Sequence, residues 1–164
     1  MNLLIRIANI KDEDKIIDCI KCSYEKYIER MGKKPAPMLD EYKSKIRSKY
    51  VHVVDKGNRI IGVIVLIPKK DHFYLGNLAV HPSEQRKGVG RQLMNYAEKL
   101  AVSSGFSAIH LFTNELVHET ISIYRKYGYL EIDRKTENGY NRVYFVKHLN
   151  AEPKNGADWN QERR

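Results

Sequence analysis

The chain is poor in cysteine and in long apolar runs, and each shortage removes a class of function. Its two cysteines, Cys19 and Cys22, form a CxxC. Both fall inside a predicted helix, and no second cysteine pair exists to complete a zinc site. They are expected to be half-buried thiols one turn apart, with no metal. The longest strongly apolar run, Ile60 to Ile67, is far too short to span a bilayer. The opening residues, MNLLIRIANIKDEDK, lack a basic leader, a full apolar segment and a small-residue cleavage site. They read as a first strand, and the expected compartment is the cytoplasm. No Gly-Lys-Ser/Thr occurs, so there is no Walker loop, and Leu93 stands where a dinucleotide fingerprint needs its third glycine. No internal repeat and no interdomain linker is present.

What is there suits one globular domain: 164 residues, 42% hydrophobic and 30% charged. A net charge of +9 and a pI near 9.5 raise the question of nucleic acid. The basic residues are dispersed, however. Lys43, Lys45, Arg47 and Lys49 alternate, and on a helix they fall on different faces. No zinc-finger, basic-zipper or RNP pattern accompanies them. The charge is permissive, and would equally attract an anionic small molecule.

Patterning predicts a strand over Leu3 to Ala8, then a helix capped by Asn9 or Asp12 with Ile16, Ile17, Ile20, Tyr24, Tyr27 and Ile28 inward, ending near Gly32. Met31 to Met38 carries two prolines and a glycine and is expected to be irregular. A second helix follows over Leu39 to Ser48. Strands at Tyr50–Asp55 and Arg59–Ile67 flank a Lys56-Gly57-Asn58 turn, and a central strand starts at Phe73. After a long helix come a strand at Ala108–Phe112, a helix at Val117–Tyr127 stopped by Gly128, and strands at Tyr129–Lys135 and Tyr140–His148. Residues 151–164 are polar, without periodicity, and read as a flexible tail.

The stretch Tyr74–Lys99 organises the rest. It is an apolar strand (Leu75, Leu78, Ala79, Val80), a break at Pro82, a loop with Gly88 and Gly90, and an amphipathic helix on Val89, Leu93, Tyr96, Ala97 and Leu100. A strand, a glycine loop and a helix N-terminus aim backbone N–H groups and the positive end of a dipole at one spot, which suits a phosphate. Arg86, Lys87 and Arg91 surround it with cations.

Gln85-Arg86-Lys87-Gly88-Val89-Gly90 resembles the Q/R-x-x-G-x-G/A motif of the GNAT acyltransferases, the acetyl-CoA-dependent N-acetyltransferase superfamily. The order β-α-α-β-β-β-α-β-α-β-β, an α/β chain with a mixed sheet, matches that family over residues 1–149, leaving 150–164 as tail. The resemblance implies acetyl-CoA as co-substrate, held by Leu78, Ala79, Val80, Gln85, Arg86, Lys87, Gly88, Val89, Gly90 and Arg91. It also implies direct acetyl transfer to a primary amine of a small molecule, peptide or protein. Ile123–Tyr129 looks like the family's Y-x-x-x-G-F/Y segment, which makes Tyr124 the candidate general acid. Seven residues earlier, where the family often has a coenzyme-contacting asparagine, stands Val117, and Asn114 would have to substitute. His72, His118 and Glu119 are candidate bases, and a water chain would also serve. By the same analogy the acceptor lies against the Met31–Met38 loop and the last two strands; Met31, Met38, Tyr27 and Tyr42 either wall its pocket or pack in an interhelical loop. The rival readings are a CoA-binding module with little catalysis and a basic nucleic-acid-binding protein. A homodimer is compatible with the sequence, and no membrane partner is expected.

Overall fold

The computed structural model describes residues 3–149, so the expected 150–164 tail lies outside the described residues. The elements run β1 (Ile5–Ile7), α1 (Glu13–Tyr24), α2 (Tyr27–Met31), α3 (Tyr42–Arg47), β2 (Val51–Lys56), β3 (Arg59–Pro68), β4 (Phe73–Val80), α4 (Val89–Ser103), β5 (Ala108–Asn114), α5 (His118–Lys126), β6 (Leu130–Glu137) and β7 (Tyr140–His148). The strands form one mixed sheet in the order β1-β2-β3-β4-β5-β7-β6. Two compact units share the chain: residues 3–67 and 75–96, and residues 68–74 and 97–149.

In the first unit, Ile16, Cys19 and Ile20 of α1 recur at helical spacing and join Tyr42 and Ile46 of α3 in one buried cluster with Val51, Val53, Val63 and Val65. β3 is buried on both faces from Ile60 to Leu66, as an interior strand should be. Gly62 has a packing reason. A Cβ there would stand 3.0 Å from Leu93 Cδ1 and 3.1 Å from Val89 Cγ1, so the missing side chain lets α4 lie close on β3.

The structure differs from four of these expectations. The helix read as continuous from residue 12 to Gly32 is broken: after Tyr24 the chain tightens to an Ile28 N–H to Glu25 carbonyl bond, and Gly32 in the left-handed region ends α2. The helix expected from Leu39 starts only at Tyr42, because the Glu41 carboxylate caps it through Lys43 and Ser44 N–H. The Met31–Met38 segment is not wholly irregular, since Ala36–Met38 makes one 3₁₀ turn. Nor are the thiols alike. Cys19 is fully buried and its thiol is pushed up to about 12 by desolvation, whereas Cys22 is half-buried.

In the second unit, β5 pairs with β7 over its whole length and β7 with β6, both antiparallel. Ile109, Leu111, Val143 and Phe145 share one face by alternation, and Tyr124 of α5 packs there on Phe145 with ring centroids 6.0 Å apart. The parallel ladder between β4 and β5 consists of Phe73↔Ile109 and Tyr74↔His110. Beyond Tyr74 the remainder of β4 belongs to the first unit.

Candidate active site

The last residues of β4, the loop after it and the start of α4 lie together in the first unit. The His81 N–H donates to the Ile61 carbonyl at 2.8 Å, so alternation turns Ala79 toward β3 and turns Leu78 and Val80 to the opposite edge. Side chains cap the carbonyls on that edge. The Tyr24 hydroxyl lies 3.1 Å from the Leu78 carbonyl and 2.6 Å from Asn77 Oδ1. Ser23 Oγ and Gln85 Nε2 each reach the Val80 carbonyl at 2.9 Å. In a strand, N–H and C=O of one residue point the same way, so the Leu78 and Val80 N–H groups share this edge.

The loop is held from beneath. Pro82–Glu84 is a 3₁₀ turn, and Glu84 is buried. Its carboxylate takes Lys56 Nζ at 2.7 Å and Lys87 Nζ at 3.4 Å, with Arg59 at 3.8 Å; Lys56 most of all, and then Lys87, hold it below the usual carboxylate range. Arg86 has φ +64° and Gly88 φ +87°. Only glycine adopts that region without strain, so Gly88 has a backbone reason and Arg86 is strained. The first intrahelical bond of α4 runs from Gln92 N–H to the Gly88 carbonyl at 3.1 Å. The N–H groups of Val89, Gly90 and Arg91 therefore lie in the turn where helix donors have no internal acceptor.

This geometry sorts the residues read from the motif. Arg86 and Arg91 are exposed, with no ion-pair partner among the described residues. Lys87 is tied to Glu84 instead, and Gln85 is turned back onto Val80. Val89 is buried, so only its backbone faces outward. A Cβ at Gly90 would meet Val80 Cγ2 at an ordinary 3.7 Å, so the fold itself tolerates one there.

Tyr124, in the second unit, is buried with Tyr129 and Phe145 against it. Burial, and then the nearby Tyr74 phenol, push its pKa far above the ordinary tyrosine value. The Tyr-x-x-x-Gly-Tyr spacing also has a backbone basis. Gly128 at φ +91° lets the Tyr129 N–H close on the Tyr124 carbonyl at 3.0 Å, a Schellman-type helix end. Asn114 Oδ1 accepts from the Leu116 N–H at 2.9 Å and shapes the turn into α5, while its amide nitrogen makes no hydrogen bond among the described residues. Tyr27 and Tyr42 are buried and not open pocket walls. The Tyr42 hydroxyl donates to the Pro37 carbonyl at 2.6 Å and accepts from Asn77 Nδ2 at 2.8 Å. His72 contacts Asp71 at 2.7 Å and stacks on His110 at 4.0 Å. Sequence reasoning missed Ser23, Asn77 and Glu84, and passed over Tyr24 as an ordinary core residue. Asn77 alone had a visible signal, as a polar residue at an inward strand position.

A family model for the GNAT acetyltransferases matches residues 10–129. The chain belongs to the GNAT family. It is accordingly an acyltransferase. Solved structures share the fold. The PaiA N-acetyltransferase of Thermoplasma acidophilum, solved in complex with coenzyme A, is 23% identical, with a TM-score of 0.72 over 91% of this chain and 100% of its own. A GNAT-family acetyltransferase of Listeria monocytogenes is 19% identical, with a TM-score of 0.69 over 90% and 95%. The ribosomal-protein-S18-alanine N-acetyltransferase of Escherichia coli is 14% identical, with a TM-score of 0.69 over 96% and 100%. Among curated proteins, sequence comparison finds no match. Among the described residues no helix is long and apolar enough to cross a membrane, and no cluster of metal-ligating side chains occurs.

Proposed function

We propose that this GNAT protein transfers acetyl from acetyl-CoA directly to a primary amine. The observation that carries the reading is the β4 edge running into the glycine loop and α4. Leu78 and Val80 N–H groups precede the Gly88 turn and the helix N-terminus, with Arg86 and Arg91 exposed beside it. The amides of Val89, Gly90 and Arg91, together with the two guanidiniums, bind the pyrophosphate of the co-substrate. The Leu78 and Val80 N–H groups hold the pantetheine and polarise the thioester carbonyl as its oxygen gains charge.

The neutral amine attacks that carbonyl carbon. The C–N bond forms, the C–S bond breaks, and the Tyr124 hydroxyl gives its proton to the departing thiolate. The proton released by the new amide nitrogen restores the phenol, so acid and base balance over one turnover. A desolvated phenol remains protonated throughout the working pH range, as this role needs. Direct transfer is supported by the place of the two cysteines: Cys19 and Cys22 both lie on α1, not on the β4 edge, the glycine loop or the start of α4, and Cys19 is buried in the core.

The test is thermal unfolding with acetyl-CoA, CoA and ADP, then an amine panel read by thiol release. At a hundred times its dissociation constant a ligand stabilises the native state by about 2.7 kcal/mol. Acetyl-CoA and CoA should raise the midpoint more than ADP. No shift at saturating acetyl-CoA would overturn the reading.

A further inference from the structure

The edge of β4 that carries the Leu78 and Val80 N–H groups is held in an unusual way. Inside a sheet, the carbonyls on such an edge are fixed by the ladder to the next strand. The ladder to β5 takes in Phe73 and Tyr74, and further along β4 side chains of α1 do the holding. Ser23 and Tyr24, adjacent residues at the end of α1, reach the alternate carbonyls Val80 and Leu78.

Behind Tyr24 stands Asn77, the residue of β4 that alternation does not explain. It is 6% exposed on the face that also carries buried Leu75 and Ala79, where a third apolar residue would fit the pattern. Both of its polar atoms are nonetheless met. The Tyr42 hydroxyl gives its one hydrogen to the Pro37 carbonyl at 2.6 Å, so toward Asn77 it can only accept. The Asn77 amide must therefore turn its nitrogen to Tyr42, at 2.8 Å, and its oxygen to Tyr24, at 2.6 Å. The single hydrogen of the Tyr24 hydroxyl then faces two acceptors, Asn77 Oδ1 and, at 3.1 Å, the Leu78 carbonyl. No side chain between Pro37 and Leu78 can turn without breaking a neighbour's bond. A buried network satisfied in this way is rigid.

We propose that Tyr24 and Asn77 are positioning residues for acetyl transfer. The Tyr24 hydroxyl holds the Leu78 carbonyl, and Asn77 holds that hydroxyl. Together they fix the β4 backbone, and with it the direction in which the Leu78 and Val80 N–H groups meet the thioester carbonyl. Donors aimed at a developing oxyanion act by being in place before the charge appears. A displacement of about 1 Å can cost on the order of a hundredfold in rate. This rests on the acetyl-transfer reading above.

The test compares the full chain with Tyr24→Phe, which keeps the ring and removes the hydroxyl, and Asn77→Leu, which keeps the bulk and removes the amide. The readouts are the single-turnover rate of acetyl transfer at saturating amine, the dissociation constant of CoA, and the infrared carbonyl band of bound acetyl-CoA labelled with 13C at the thioester. Both variants should lose about tenfold or more in rate at unchanged CoA affinity. The band should lie below its solution frequency on the wild-type chain and return toward it in both variants, because misdirected donors polarise the carbonyl less. A packing role would lower the unfolding midpoint and leave rate and band unchanged, and that result would overturn the inference. So would weaker CoA binding at an unchanged rate. Should Asn77→Leu fail to fold, Tyr42→Phe frees the same amide from outside the strand. Its rate and band should fall between those of wild type and Tyr24→Phe, and wild-type values would overturn the part given to Asn77. A band that responds to the variants while no amine is acetylated would uphold the positioning and overturn transfer to amines. Acetyl transfer at one rate in all chains would do the reverse.

Discussion

Tyr124 combines two properties that separate chemistry from packing. Its ring is fixed between Tyr129 and Phe145, while its hydroxyl has no hydrogen-bond partner among the described residues. Removing that oxygen therefore takes nothing from the fold, and Tyr124→Phe should keep or slightly raise the unfolding midpoint. Turnover should fall roughly a hundredfold or more, the usual share of a general acid, with the dissociation constant for CoA unchanged. Stopped-flow or steady-state thiol release beside calorimetric binding of CoA checks this, and unchanged kcat would remove Tyr124 from the mechanism. Because burial raises its pKa, the variant's deficit should not shrink on the alkaline side up to pH 9.

Among the elements, the loop between β4 and α4 carries a strain that its own chemistry explains. Arg86 at φ +64° occupies a region costing an L-residue about 1–2 kcal/mol, and no packing contact or ion pair requires arginine there. Arg86→Gly should thus leave the ligand-free midpoint equal or higher, yet weaken CoA and ADP together by loss of one phosphate contact. Gly88→Ala should do the opposite to stability, lowering it by about 1–2 kcal/mol at φ +87°, and should weaken the coenzyme as well. Denaturant titrations with and without CoA read both effects. A lower ligand-free stability in Arg86→Gly would show that the arginine supports the loop itself. Glu84 explains how the loop stays in place despite this strain: Lys56 of β2 and Lys87 converge on one buried carboxylate.

For the molecule as a whole, the titration of His52 opposes folding. It is 4% exposed on β2, its Nδ1 lies 2.7 Å from the Tyr96 hydroxyl of α4, and burial lowers its pKa to about 4. The unfolded chain takes up this proton near pH 6.5 and the native chain near 4, so between these values the unfolded state binds more protons. Stability from this group is complete above pH 6.5 and is lost as pH falls toward 4, by about 3 kcal/mol at most. His52→Gln should flatten that part of the pH–stability curve while lowering stability at pH 7. An unchanged slope between pH 6.5 and 4.5 would assign the acid loss to other groups.

Local signals made the order of strands and helices readable, because each depends on neighbours a few residues apart. Alternation in Leu75–Val80, the left-handed requirement at Gly88 and the helix end at Gly128 are of this kind. So is the Gln85–Gly90 motif, and with it the family. Helix limits near the Met31–Met38 segment were less readable, since the Glu41 cap and the break after Tyr24 compete with an unbroken apolar periodicity. The tertiary structure alone decided which motif residues are available. Lys87 is drawn off by a carboxylate whose other partner is Lys56, 28 residues from it, and the β4 carbonyls are capped by Tyr24 and Ser23, 54 and 57 residues away. It also decided that Arg142 lies over the Phe112 ring, which follows from the β5–β7 register. A hydrogen bond between residues so far apart leaves no periodicity in the chain, and only folding determines which of several lysines or tyrosines meets the acceptor.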